Sequence, residues 1–470
     1  MVTMKDYEGM AGFGGGGGGF GTATSNEVED LNKALSAGYQ SPRQDGGSAL
    51  RVESLEATLR ILTHTQKHVV MWKDIPKLPA FSTTEEYNVQ TSYGGDSGPF
   101  TREGELPQTQ DASYERRVAL VKYLGTQREV THPMTLVRPA HGNAIAVETQ
   151  NGTLWLMEQM ERQIFFGNSR IIPEAFDGLE AQLLADPIGG VQNVIDLRGG
   201  TLTESNIEEA TNIIVEAYGV PSDLYGAPRS LSDLVKTMYP RERVNLPAPE
   251  NGTIGMAISK VATQAGVINL KGDIFLRSGR NNGARTAPTS ATSGRSPTAP
   301  TVVGAAVAAA PGSLFGTPDA GTYQYRVTAI NRFGESASAL EAGGVAVALG
   351  EGVDLTITDG GGSEPATGYR LYRSRVDGAD GTQEYVKDIP RVGAAATTVY
   401  RDLNVDLPGY SKAFLNQMNL QAVGFRQLAP MMKIPLATIA ASIRWMQLLY
   451  GTPILYAPRK IVMFRNVLDR

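Results

Sequence analysis

Few side chains in this sequence have types and spacings that could do chemistry, and each has a plainer reading. His64 and His68 stand four apart in a stretch from Ser48 to Trp72 where Leu55, Leu59, Leu62 and Val69 recur at helical spacing. On a helix the two imidazoles share a face and could hold a metal. No third ligand is near, the chain has 4 histidines and no cysteine, and an ordinary helix surface or interface is expected. Glu103 and Glu105 could act as an acid/base pair, yet alternate positions of an extended strand share a face by periodicity alone. The run Asp377-Gly378-Ala379-Asp380-Gly381-Thr382-Gln383-Glu384 could wrap calcium, but its spacing departs from the calcium-hand loop. A turn joining two strands is the simpler account. Gly14 to Gly19, between Phe13 and Phe20, follows no strand and lacks the Gly-Lys-Ser/Thr ending of a phosphate loop. With no nucleophile elbow and no His-Glu-x-x-His helix, we assign no catalytic, cofactor-binding or metal residue and expect no enzyme.

Bulk composition sets bounds on the function classes. A chain of 470 residues corresponds to about three domains, enough to bury cores without disulfides. The absence of cysteine excludes thiolate zinc sites and disulfide scaffolds and suits a reducing compartment. The first residues lack the plan of a signal peptide, and the most apolar stretch, Met431 to Tyr456, is interrupted by Lys433, Pro435, Arg444 and Pro453, so no membrane partner is expected. A formal charge of −5 argues against a surface that coats nucleic acid generally, although Arg229, Lys236, Arg241 and Arg243 form a local basic cluster.

These residues need elements to carry them. Residues 1–48 read as an arm, because glycine-rich polar sequence has high backbone entropy and no core to bury. Between Lys73 and Pro139 the sequence turns to β-type alternation, as in Glu86 to Gln90 and Arg117 to Leu124, around a tip of turn formers from Gly94 to Gln108. A ribbon this long cannot bury both faces in its own chain and is expected to lie on another subunit. From Ala144 to Phe166 a helix is predicted, with Trp155, Leu156, Met160, Ile164 and Phe165 inside and Glu148, Glu158, Glu161 and Arg162 outside. Asn151-Gly152 should weaken or kink it. Residues 174–275 read as mixed α/β, with a helix started by Thr203 to Glu209 and stopped near Gly219, a shorter one at Ser232 to Lys236, and the same texture after Leu415 ending in the strand Lys460 to Phe464.

Between these similar flanks lies a different texture. Tyr323 to Ile330 alternates apolar and polar residues with period two, Gly368 to Ser374 repeats the pattern, and Gln383 to Asp388 and Thr397 to Asp402 add strands. About a hundred residues of short strands fits a β-sandwich. Its entrance, the Gly/Ser/Thr/Pro tract from Ser278 to Pro300, has the composition of a flexible tether that permits movement relative to the body.

The order of these elements resembles the major capsid protein family of tailed bacteriophages, the Hong Kong 97-type fold. The strands around Tyr325-Arg326-Val327-Thr328-Ala329 and Asn331-Arg332-Phe333-Gly334-Glu335-Ser336 are similar to a fibronectin type III or immunoglobulin-like module. The resemblance implies an α+β fold class with an inserted all-β sandwich: N-terminal arm 1–48, a peripheral segment 49–82, extended loop 83–132, peripheral domain with the spine helix 133–173, axial domain 174–277, linker 278–300, inserted domain 301–408, and a final axial and peripheral part 409–470. It also implies assembly as the function: an icosahedral shell of hexamers and pentamers enclosing viral DNA without sequence specificity, made in the host cytoplasm, with scaffolding, portal and decoration proteins as partners and the inserted domain projecting outward. The interface candidates are Phe13, Phe20, Glu103, Glu105, Arg116, Arg117 and Arg162. Some family members crosslink a lysine to an asparagine; Lys122 lies on the return strand, but nothing identifies its acceptor and no crosslink is predicted. The alternative is a phage-tail or cell-surface binding protein whose sandwich holds the ligand.

Overall fold

A computed structural model of the chain describes residues 66–470 except 96–97, 99, 138–142, 239–257, 278–285, 394–395, 439 and 470. The expected arm with Phe13 and Phe20, most of the helix from Ser48, His64, and the basic residues Arg241 and Arg243 lie outside these residues. His68 ends a short 3-10 turn, Gln66–His68.

The long helix spans Ala144–Phe166, the bounds its periodicity gives. Asn143 Oδ1 accepts the Ile145 N–H at 2.9 Å and caps the start, while the Gly167 N–H closes the end on Gln163 O. Three expectations about it fail. It runs unbroken through Gly152, which is buried against strand Ser442–Leu455. A Cβ on Gly152 would overlap the Gln447 side chain, whose Nε2 donates to Thr149 O at 2.8 Å. Glycine leaves room here for the Gln447 side chain, at a helix-propensity cost of about 1 kcal/mol. Trp155, expected inside, is 41 % exposed. Glu161, expected outside, is fully buried.

This helix packs on a four-stranded sheet ordered Lys77–Pro79, Val423–Pro435, Ser442–Leu455, Lys122–Thr131. Lys433 Nζ donates to Thr149 Oγ1 at 2.9 Å, and Arg128 pairs with Glu148 at 3.7 Å. The stretch Met431 to Tyr456 is therefore mostly paired strand, and among the described residues no helix is long and apolar enough to cross a membrane. Beneath lies a core of Met71, Ile75, Phe165, Phe176, Phe414 and Phe425.

A second, six-stranded sheet is ordered Val194–Asp196, Ile461–Val467, Ser411–Asn416, Asp223–Gly226, Gly266–Gly272, Lys260–Thr263. Thr203 caps the covering helix Glu204–Glu216 in a capping box with Asn206. Past its end the left-handed residue is Tyr218, at φ 59°, and Gly219 supplies an N–H to Ile214 O at 2.8 Å. The other expected helix runs Pro228–Met238. In the middle of the sheet, Phe414 is registered with Tyr225 on one side and Met463 on the other. One sheet thus draws central strands from both sides of residues 273–410.

Within that interval, strands Thr301–Val307, Gly352–Thr358 and Thr397–Asp402 form one sheet; Gly334–Glu335, Tyr325–Asn331, Gly368–Arg373 and Glu384–Pro390 form another, with Ala339–Leu340 also on Tyr325–Asn331. Val353, Leu355 and Ile357 of the first share a buried cluster with Val327, Tyr369 and Leu371 of the second. The most legible strand departs from expectation at both ends. Gly321–Tyr323 pairs separately with Val345–Val347, and the alternation vanishes after Val327 because both faces are covered. Thr328 Oγ1 donates to Glu335 Oε1 at 2.6 Å, joined there by Tyr372 OH at 2.7 Å, while Arg370 Nη1 donates to the other oxygen at 2.7 Å.

The expected tether is also corrected where it is described. Thr292 N–H donates to Glu335 O at 2.9 Å, Ser338 N–H to Pro288 O at 3.0 Å, and the Arg295 guanidinium lies 3.6 Å from the Phe333 ring centre. At the other end Arg198 donates to Asn404 O at 2.6 Å, Asn466 Nδ2 to Val405 O at 2.9 Å, and Asp406 stands 3.4 Å from Lys387 Nζ and 3.5 Å from Arg465 Nε. These contacts fasten the β-rich segment to the six-stranded sheet, because polar groups in turns can be buried only when paired. All described residues lie in one compact unit.

Candidate assembly interface

Strands Thr84–Ser92 and Ser113–Leu120 pair antiparallel from Thr84↔Leu120 to Ser92↔Ser113 and form a sheet of their own. The chain turns out of this ribbon at Val121, whose N–H donates to Thr83 O at 2.9 Å, so the expected arm Arg117 to Leu124 is split and its second half joins the four-stranded sheet. No residue of either ribbon strand is buried. A two-stranded ribbon is at best marginally stable in water, and its unpaired edges and faces are a template for another surface.

The sequence candidates distribute unevenly over it. Glu103 and Glu105 are not on a strand: Gly104, at φ 83°, turns the chain, and the Glu105 N–H donates to Arg102 O at 3.1 Å. Arg116 lies 3.3 Å from Glu86 across the ribbon, with both side chains more than half exposed. Arg117 pairs with Glu115 two residues away at 2.9 Å and holds that carboxyl below the usual range. Arg162 is not on the ribbon; Glu158 binds it, and its guanidinium lies over the Phe275 ring. Exposed pairs such as Arg116–Glu86 contribute little within one chain. What composition passed over is the apolar content of the tip: Phe100 is 94 % and Leu106 93 % exposed, with Tyr93 and Tyr114 also outside. Their signal was present, since large apolar residues among turn formers have no local partner.

At the root, Tyr87 meets Tyr456 edge-on with ring centres 5.0 Å apart, and burial pushes the Tyr87 hydroxyl up. Lys122 Nζ donates to Pro173 O at 2.6 Å. A cleft of about 550 Å³ beside the root is lined by Tyr87, Arg117, Lys122, Phe176, Asp186 and Pro453. The Asp377 to Glu384 run is the connection between strands Gly368–Arg373 and Glu384–Pro390, with Asp380 held down at about 2 by hydrogen bonds from Arg326. Among the described residues no group of three or more candidate ligands could hold a metal.

Comparison with known proteins bears on the chain as a whole. No protein-family model matches. The chain is 25 % identical over 449 residues to a protein assigned as the major capsid protein of Enterococcus phage phiEF24C, and 25 % identical over 448 residues to the major capsid proteins of Staphylococcus phages S25-3 and K. In each case the match covers 93 % of this chain and 95 % of the relative. The function these relatives support is that of a shell-forming capsid protein. In three dimensions the mixed α+β fold is similar to the capsid of a native GTA particle (TM-score 0.45, 9 % identity, 91 % of this chain and 99 % of that one). It is also similar to the capsid of cyanophage P-SCSP1u (TM-score 0.45, 9 % identity, 91 % and 97 %).

Proposed function

We propose that the chain is the major capsid protein of a tailed phage with a Hong Kong 97-type fold, assembling as hexamers and pentamers into an icosahedral shell around DNA. The observation that carries this reading is the free ribbon. Both of its faces lack a core among the described residues, and its tip exposes Phe100 and Leu106. Laid on a neighbouring copy, it gains the apolar burial its own chain does not give it, at roughly 25 cal/mol per Å². Many such modest contacts suffice because each subunit is held by several neighbours.

In the same reading, residues 301–408 are an immunoglobulin-like or fibronectin type III-like sandwich inserted into the body. The strand Ser411–Asn416, seated between Asp223–Gly226 and Ile461–Val467, supports that reading, since the sheet continues across the interval. The insert projects from the outer surface, available to a decoration protein, while DNA, scaffolding and portal proteins are met elsewhere on the shell. Production in the host cytoplasm suits a chain without cysteine.

Replacing residues 94–110 by a short turn tests the ribbon's role. Sedimentation velocity is expected to show the wild-type chain in large particles and the variant as folded small species. A variant that assembles as the wild type does would remove the ribbon from the assembly contacts.

A further inference from the structure

Glu161 points into the protein from the long helix and is 0 % exposed. Its Oε1 accepts the N–H groups of Val70 at 2.8 Å and Met71 at 2.5 Å, and its Oε2 accepts that of Trp72 at 2.8 Å. These three consecutive amides have no helical partners of their own, so a carboxylate about 90 residues away in sequence satisfies them. Asp273, also 0 % exposed, spends Oδ1 on the Phe275 N–H at 2.8 Å, while Oδ2 meets no N–H or O–H of the protein. The Asp273 carboxyl neighbours that of Glu161, and each acts on the other's ionisation. Two buried carboxyl groups this close hold one proton between them more readily than they both ionise. Glu161, with three donors on it, is the ionised partner; Oδ2 of Asp273, with no other occupation, carries the proton and donates it.

We propose that Glu161 and Asp273 form a buried acid latch that holds residues 66–74 against the long helix and releases them when both carboxyl groups are ionised. Other charged groups surround the pair. On the segment, Asp74 accepts from Tyr225 OH at 3.0 Å and Lys271 Nζ at 2.8 Å, and Lys271 lies 2.7 Å from Asp223. Burial opposes the charge on Lys271, but Asp223 and Asp74 outweigh it and raise its pKa; burial pushes Tyr225 far up, so both keep their protons through mildly alkaline pH. On the long helix, Arg162 is neutralised by Glu158. Lys67, His68 and Lys73 are exposed, and Lys73 Nζ donates to Gln66 O.

Burial, then the neighbouring Glu161, pushes Asp273 up to about 9, and burial raises Glu161 as well. A raised acid stabilises the folded state fully below its unfolded pKa of about 4 and loses that contribution as pH rises through its folded value. The latch is therefore closed at neutral pH and opens on alkalinisation, when two adjacent buried carboxylates repel.

The test uses the full chain, digested with trypsin between pH 7.5 and 10 and read at Lys67 and Lys73, with rates normalised to a free peptide of residues 62–78. Wild type is expected to be cut roughly ten-fold or more faster at the upper pH, one decade per proton unit. Asp273→Asn, whose amide can donate to Glu161 at every pH, is expected to stay resistant throughout. Glu161→Gln is expected to be cut at both pH values, because one amide oxygen cannot receive three N–H groups. Equal pH dependence in wild type and Asp273→Asn would overturn the proposal. Should either variant fail to fold, hydrogen exchange of wild type alone decides it: the Val70, Met71 and Trp72 amides must lose protection together, after correction for intrinsic rates, and retained protection at pH 10 overturns the latch.

Discussion

Arg373 and Asp402 form an ion pair with almost no access to water, Nη1 to Oδ2 at 2.5 Å, the side chains 1 % and 3 % exposed. It ties strand Gly368–Arg373 to strand Thr397–Asp402, which belong to different sheets. Tyr325 OH donates to the same carboxylate at 3.1 Å, and Arg373 Nη2 donates to Asn404 Oδ1 at 2.6 Å. Removing one partner strands a buried charge, whereas removing both with apolar substitutes leaves none. Asp402→Ala is expected to cost about 3–5 kcal/mol, and the double change Arg373→Met with Asp402→Leu much less. Urea denaturation of the four members of the cycle measures both; equal losses in the single and double variants would contradict the account.

Gly152→Ala sets helix propensity against packing. Propensity alone gives about 1 kcal/mol of stabilisation. The added methyl group would displace the Gln447 amide from Thr149 and crowd Arg128 Nε at 3.3 Å, and overpacking of this kind costs about 1–3 kcal/mol. We expect a net loss in thermal stability. A rise in Tm would show that Gln447 moves aside freely.

Asp406 gives the β-rich segment's attachment an acid limit. Burial alone would push its carboxyl up, but Lys387, Lys412 and Arg465 override burial and hold it down at about 2. A depressed acid stabilises above its unfolded pKa, about 3.9, and that contribution is lost as pH falls through the folded value. Stability is expected to drop by roughly 2 kcal/mol between pH 4 and pH 2 on this account. In Asp406→Asn that part of the acid slope should vanish. An unchanged slope in denaturation midpoints across that range would place the acid sensitivity elsewhere.

What the sequence made legible follows from how local each signal is. The helix Ala144–Phe166 has its cap, its periodicity and its stop within its own residues, and Thr203 with Asn206 starts the next long helix in the same local way. Glu161 was misplaced because its partners, the amides of Val70 to Trp72, are distant in sequence, and helical periodicity sends a glutamate outward by default. Gly152 misled for a related reason: its neighbour Gln447 comes from a strand about 300 residues further along the chain. In the β-rich segment the alternation found Tyr325–Asn331 but concealed its second buried face, which Glu335, Arg370 and Tyr372 cover with polar atoms. Composition described the linker as a tether, since it cannot register hydrogen bonds such as Thr292 to Glu335. Of the interface candidates, Arg116 and Arg117 fall on the ribbon and Glu103 and Glu105 at its tip, while Phe100 and Leu106, apolar residues among turn formers, were passed over until their exposure drew attention to them.

The ribbon residues should separate folding from assembly. Phe100→Ser with Leu106→Ser removes apolar side chains that are 94 % and 93 % exposed, so the unassembled chain should change by less than about 0.5 kcal/mol. Light scattering under assembly conditions should nonetheless show a marked loss of large particles. Normal particle yield would show that the tip's apolar residues are not contacts.

Cryo-electron microscopy of the purified chain under assembly conditions, with a scaffolding partner where one is needed, tests the central claim most directly. The account predicts closed shells, or hexamer and pentamer rings, in which the ribbon Thr84–Leu120 of each subunit lies on a neighbour. A strictly monomeric particle under all such conditions, or a shell whose ribbons touch no neighbour, would contradict it.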